Sequence, residues 1–148
     1  MTAQAMTGGC QCGAVRFSIG APGPASICHC RMCQKAFGNL FATLIEARDV
    51  TWTRGAPSIF RSSDRNWRGF CKDCGTPLTY EFDGHIEIAV GALDDPDAAQ
   101  PQVQVNARYQ RRCFAGLAAL PEKPADLRDA DDDWNASVVS YQHPDHDT

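Results

Sequence analysis

Residues 71–75 read Cys71-Lys72-Asp73-Cys74-Gly75. Two cysteines set two residues apart and followed by glycine form a zinc knuckle. The glycine accepts the left-handed turn that lets backbone amides point at cysteine sulfur. One such pair is half a site, because a closed zinc centre takes four ligands. A second pair lies far upstream in Gly9-Cys10-Gln11-Cys12-Gly13, again a tight turn with small neighbours. Together Cys10, Cys12, Cys71 and Cys74 read as one four-cysteine zinc site that clamps the N-terminal strand to a later hairpin. Four thiolates leave no open position, so this site belongs to folding.

A third cluster is left over: Cys28-His29-Cys30-Arg31-Met32-Cys33. Its three sulfurs can wrap one face of an ion, with no second pair to complete four. A zinc with three protein ligands and one exchangeable position is the catalytic pattern. His29 or the isolated Cys113 could instead close the site. In an extended C-x-C the side chain of His29 faces away from its neighbours, and a lone cysteine such as Cys113 is more often a small buried hydrophobe. An iron–sulfur cluster fits poorly, since C-x-C is tighter than the usual iron–sulfur spacing. Disulfides fit poorly too, because a bridge across C-x-C closes a small strained ring.

Between the clusters the chain reads as short strands. In 14–19, Val15, Phe17 and Ile19 fall on one face and Arg16 and Ser18 on the other, until Gly20-Ala21-Pro22-Gly23-Pro24 breaks the strand. Arg31 to Phe37 is the best short helix, stopped by Gly38-Asn39. The stretches 40–45, 50–53 and 58–61 are β-prone. Leu78, Tyr80 and Phe82 alternate, Asp83-Gly84 is a hairpin turn, and Ile86, Ile88 and Val90 return. Val103 and Val105 point to one more strand. Residues 1–7 read as a disordered leader, and 121–148 as an extended acidic segment with a tail, whose His143 and His146 read as solvated. The expected fold is mainly β, many short strands punctuated by metal-binding turns.

The 148 residues suffice for one domain with a real core. The formal net charge is −4, and no Lys/Arg cluster overrides it, which argues against a nucleic-acid partner. No apolar run approaches the roughly 18 residues of a membrane span. The first ten residues lack the pattern of a secretory signal. Seven of the eight cysteines in metal-type spacing suit a cytoplasmic protein. Nothing in the sequence fixes an oligomeric state.

Four stretches carry a resemblance: GGCQCGAVRF at 8–17, CHCRMCQKAFG at 28–38, RGFCKDCGTPL at 68–78 and GALDDP at 91–96. All three cysteine clusters match in order and spacing, and the likeness runs from residue 8 to about 120. The sequence resembles the glutathione-dependent formaldehyde-activating enzyme family, which also includes centromere protein V. The resemblance implies a β-tent fold related to zinc ribbons, with short antiparallel sheets and one short helix. It implies two zinc ions per chain, a structural one on Cys10, Cys12, Cys71 and Cys74 and a second on Cys28, Cys30 and Cys33. It implies condensation of formaldehyde with glutathione to S-hydroxymethylglutathione, a carbon–sulfur lyase activity. Two departures stand out. After the equivalent of Pro101 many members carry histidine and alternating apolar residues, where this chain has Gln102-Val103-Gln104-Val105. Where members often have tryptophan beside a large apolar residue, this chain has Cys113-Phe114.

The expected chemistry places a glutathione-like thiol at the open position, with Cys28, Cys30 and Cys33 as ligands and His29 as a candidate proton shuttle. Arg31, Lys35, Arg61 and Arg65 are candidates for the carboxylates of a peptide thiol, as is the Arg108, Arg111, Arg112 stretch. Trp52 reads as core packing, while Trp67 could cover the cluster and Trp134 could line a pocket. Two other functions fit the same residues: a zinc scaffold without catalysis, since fold alone does not give function, and a redox switch that releases zinc on oxidation.

Overall fold

The computed structural model describes residues 5–148, which pack as two units. The first runs to Gln110 and takes up Gln142–Thr148; the second is Arg111–Tyr141. In the first, eight strands form one sheet: β1 (Met6–Gly9), β2 (Arg16–Cys28), β3 (Ala42–Arg54), β4 (Ser58–Arg61), β5 (Asn66–Phe70), β6 (Pro77–Phe82), β7 (His85–Ala89) and β8 (Pro101–Val105). A seven-residue helix, α1 (Arg31–Phe37), follows β2. The mainly β architecture with one short helix in this unit agrees with the sequence reading.

The spatial order is β1-β2-β3-β7-β6-β5-β4, with antiparallel neighbours. One edge of the long β2 is shared. Its first part pairs with β1, Met6 opposite Ile19, and its last part pairs with β8, Cys28 opposite Val105. That second pairing is parallel. Phe17, Ile19, Ile45, Leu78 and Ile88 are fully or almost fully buried and form the main core. Trp52 packs edge-on against Phe17 at 5.8 Å between centroids, the core role expected of it.

Three expectations need correction. Gly20–Pro24 does not end β2. The strand passes through with a register shift between Pro22 and Ala25, because prolines are accommodated at an irregularity where no ladder donor is needed. Stretches 40–45 and 50–53 are not separate: one strand, β3, starts at Ala42 and runs through both. Arg16 is not on a wet face. It is 2% exposed and its guanidinium grips Asp94 through two bonds, of 2.8 and 2.6 Å.

Both ends also differ from expectation. Residues 1–4 lie outside the described residues, but Met6 and Thr7, assigned to a leader, are strand residues. The acidic segment is helical over Ala125–Ser137 (α2), preceded by Pro124, whose fixed φ suits a helix start. Lys123–Asp131 and Arg128–Glu122 ion pairs, both 2.6 Å, offset some of its aspartate repulsion. The last residues are held: the His143 amide donates to the Gln11 carbonyl at 2.8 Å, and Arg54 reaches the Thr148 carbonyl at 2.9 Å.

Candidate metal centres

The first centre is built from two similar turns. Beyond β1, the Cys10 amide bonds to the Val15 carbonyl at 2.9 Å and Gly13, at φ +78°, turns the chain back. Beyond β5, the Cys71 amide bonds to the Thr76 carbonyl at 2.9 Å and Gly75, also at φ +78°, does the same. The Gln11 amide donates to the Thr76 hydroxyl at 2.9 Å and ties one turn to the other. The four sulfurs of Cys10, Cys12, Cys71 and Cys74 lie within 4.8 Å of one another. Cys10 and Cys12 are 3.6 Å apart and Cys12 and Cys71 3.9 Å. Tetrahedral bonds of about 2.3 Å put sulfurs roughly 3.8 Å apart, so the donor set fits a metal such as zinc. The Val15 amide points at Cys10 sulfur from 3.2 Å. Burial works against ionising Cys74, but hydrogen bonds from Thr76 and Cys12 outweigh it and pull that thiol down to about 6. Burial pushes Cys71 up.

The second centre lies where β2 runs into α1. Cys28 ends the strand, Cys30 caps the helix and Cys33 sits one turn in, its amide donating to Cys30 sulfur at 3.3 Å. Their three sulfurs also fall within 4.8 Å of one another. Two other side chains reach them. Asn106 Nδ2 donates to Cys28 sulfur at 3.6 Å, and Arg68 Nη2 to Cys33 sulfur at 3.5 Å. Hydrogen bonding from Cys33, from the Cys30 backbone and from Asn106 holds Cys28 down at about 5, against its burial. Cys33, giving that bond and buried, is pushed up.

The two centres differ in what they face. Cys28, Cys30 and Cys33 line a cleft of about 430 Å³. Met32, Leu44, Tyr80 and Phe82 supply its apolar wall; Glu87, Asn106, Arg108 and Tyr109 supply polar groups. Glu87 is raised above the usual carboxylate range, mainly by burial and then by the charges of Cys28 and Glu46. A cleft of similar size beside the first centre holds Arg16 and Asp94, which already satisfy each other, and four sulfurs leave a metal there no free position.

His29 does not join the three cysteines. It is fully buried, its Nε2 is 2.9 Å from Gln104 Oε1, and its amide donates to the Val105 carbonyl. Alternation along the chain sends it opposite to Cys28 and Cys30. Arg31 and Lys35 line a separate groove of about 350 Å³ with Phe60 and Arg68. Arg61 bonds to the Ser63 and Asp64 carbonyls, and Arg65 is exposed on the same loop. Trp67 is on β5 and partly exposed. Cys113 and Trp134 belong to the second unit. Of the candidate cations, Arg108 is the one at the cleft. Sequence reading missed Arg68, Glu87 and Asn106. Nothing marked the first two, but Asn106 follows a strand with φ +56°, a conformation asparagine favours.

A sequence profile described as glutathione-dependent formaldehyde-activating enzyme matches residues 5–109. A curated protein of Halomonas elongata, provisionally given that same enzyme name, is 28% identical over 138 residues, covering 75% of this chain and 87% of its own. The crystal structure of a Rhodobacter sphaeroides protein is similar with a TM-score of 0.55 at 23% identity, covering 68% of this chain and 100% of that one, a likeness of fold. The profile spans most of the chain and includes every residue of both cysteine centres, and the chain belongs to the glutathione-dependent formaldehyde-activating enzyme family.

Proposed function

We propose that the protein is a cytoplasmic, zinc-dependent carbon–sulfur lyase that joins glutathione, or a similar peptide thiol, to formaldehyde. One observation carries the reading: the three-sulfur centre lines an open cleft, while the four-sulfur centre is complete. Zinc on Cys28, Cys30 and Cys33 would supply positive charge that favours the thiolate form of a thiol at the remaining position. The chain's own groups do the rest. Arg108 pairs with a carboxylate of the peptide. Tyr80, Phe82 and Leu44 keep water from the reacting carbon. Glu87 is the cleft group suited to hold the thiol proton, a role that buried His29 is badly placed to fill. As the sulfur–carbon bond forms, the carbonyl π pair moves to oxygen, which takes up that proton and leaves an S-hydroxymethyl product.

Native mass spectrometry of protein purified without chelator tests this. Two zinc ions per chain and a glutathione adduct are expected, and Cys30→Ser is expected to lose one ion and the adduct together. Wild-type protein with no adduct would overturn the reading. So would a rate no faster than the uncatalysed addition of thiol to formaldehyde.

A further inference from the structure

Two buried arginines are neutralised in different ways. Arg16 is paired with Asp94. Arg68, on β5, is 6% exposed, and among the described residues no carboxylate lies within ion-pair distance of it. Its Nη2 donates to Cys33 sulfur at 3.5 Å, its Cζ lies 4.7 Å from the centre of the Tyr80 ring, and its Nε and Nη1 have no hydrogen-bond partner. A guanidinium does not shed its proton, and a buried charge without a counterion is strongly disfavoured. The opposing charge beside it is therefore sulfur.

The charge count is simple. A divalent ion and three thiolates sum to one negative charge, and the guanidinium cancels it. A thiolate arriving at the fourth position then leaves one negative charge in the site instead of two. We infer that Arg68 is the counterion of the three-cysteine centre, a positioning residue that fixes Cys33 and offsets the excess negative charge so that an anionic exchangeable ligand is accepted. This rests on metal binding at Cys28, Cys30 and Cys33. The arginine does not itself line the cleft; it lines the neighbouring groove with Phe60 and acts through the sulfur.

The test compares full-length wild type, Arg68→Gln and Arg68→Lys, each loaded with zinc and titrated with a colorimetric chelator. Glutamine keeps a donor and removes the charge; lysine keeps the charge. Arg68→Gln is expected to release its second ion at about tenfold lower chelator or less, the usual size of an outer-shell effect. Arg68→Lys is expected to stay within about threefold of wild type, charge being the property it preserves. In cobalt-loaded proteins, 2-mercaptoethanol, a thiol without carboxylates, should perturb the spectrum of wild type and Arg68→Lys at lower concentration than that of Arg68→Gln. Retention of the first ion in all three proteins checks the fold. Equal release by wild type and Arg68→Gln overturns the inference, and so does Arg68→Lys behaving like Arg68→Gln. Wild type that holds one ion overturns the underlying metal reading instead. Should Arg68→Gln not fold, cobalt-loaded wild type decides: 2-mercaptoethanol, which binds as an anion, is expected to perturb its spectrum at lower concentration than neutral imidazole, and a preference for imidazole overturns the inference.

Discussion

At the scale of single residues, identity and environment part company. Arg108 and Arg31 look alike in sequence, yet only Arg108 lines the cleft of the three-cysteine centre. Arg108→Ala is expected to raise KM for glutathione about tenfold or more with little change in kcat, the mark of lost ground-state binding. Steady-state kinetics with a thiol lacking carboxylates should show no such rise. Asp94 gives a pH prediction. Hydrogen bonds from Arg16, then from Thr7, hold its carboxyl below the usual carboxylate range despite burial. A depressed folded-state pKa stabilises above the unfolded value, near 4, and that contribution is lost as pH falls through the folded value. Urea unfolding of wild type should therefore weaken below about pH 4 more than that of Asp94→Asn, which starts about 3 kcal/mol less stable at neutral pH. The two cysteine groupings were legible because spacing limits which sulfurs can meet, and the structure brings each set within 4.8 Å. Arg16 was not, since period-2 alternation assigns a face and cannot foresee that Asp94 waits on it.

Elements show the same division. Helix α1 was legible to the residue. Its end is set locally by Gly38 at φ +56°, with the Gly38 and Asn39 amides turned back to the Lys35 and Gln34 carbonyls. The hairpin between β6 and β7 was legible for the same reason, with Asp83 and Gly84 both at positive φ. Strand β2 was not. Its continuation through two prolines is decided by β3 on one side and β8 on the other, partners that local propensity does not contain. Because β2 carries Phe17 into the main core, Phe17→Ala should cost about 3–5 kcal/mol in chemical denaturation and loosen both centres at once. The α2 helix lies at the other extreme, with no buried residue and many aspartates. Its circular dichroism signal should fade on heating well before the sheet unfolds.

For the whole molecule, the C-terminal residues matter beyond their number. His143 packs so close over Gly13 that a Cβ there would collide with its ring, and Arg16 reaches the His146 carbonyl at 3.0 Å. Deleting 142–148 is expected to cost about 1–2 kcal/mol from the lost hydrogen bonds while leaving two bound ions, as thermal unfolding and metal analysis would show. The profile match stops at residue 109, short of these contacts.

Strand β8 is exposed along its whole length and is held by one parallel ladder to the far end of β2. Amide exchange should therefore be fast in β8 and slow in β2 and β3, because a strand with no buried face opens at little cost. The residues just past it, Asn106 and Arg108, would move with it. The cleft thus has one side expected to yield and one expected to stay rigid: its sulfurs sit on β2 and α1, while Asn106 and Arg108 follow an exposed strand. Tolerance for thiols of different length would follow from that asymmetry.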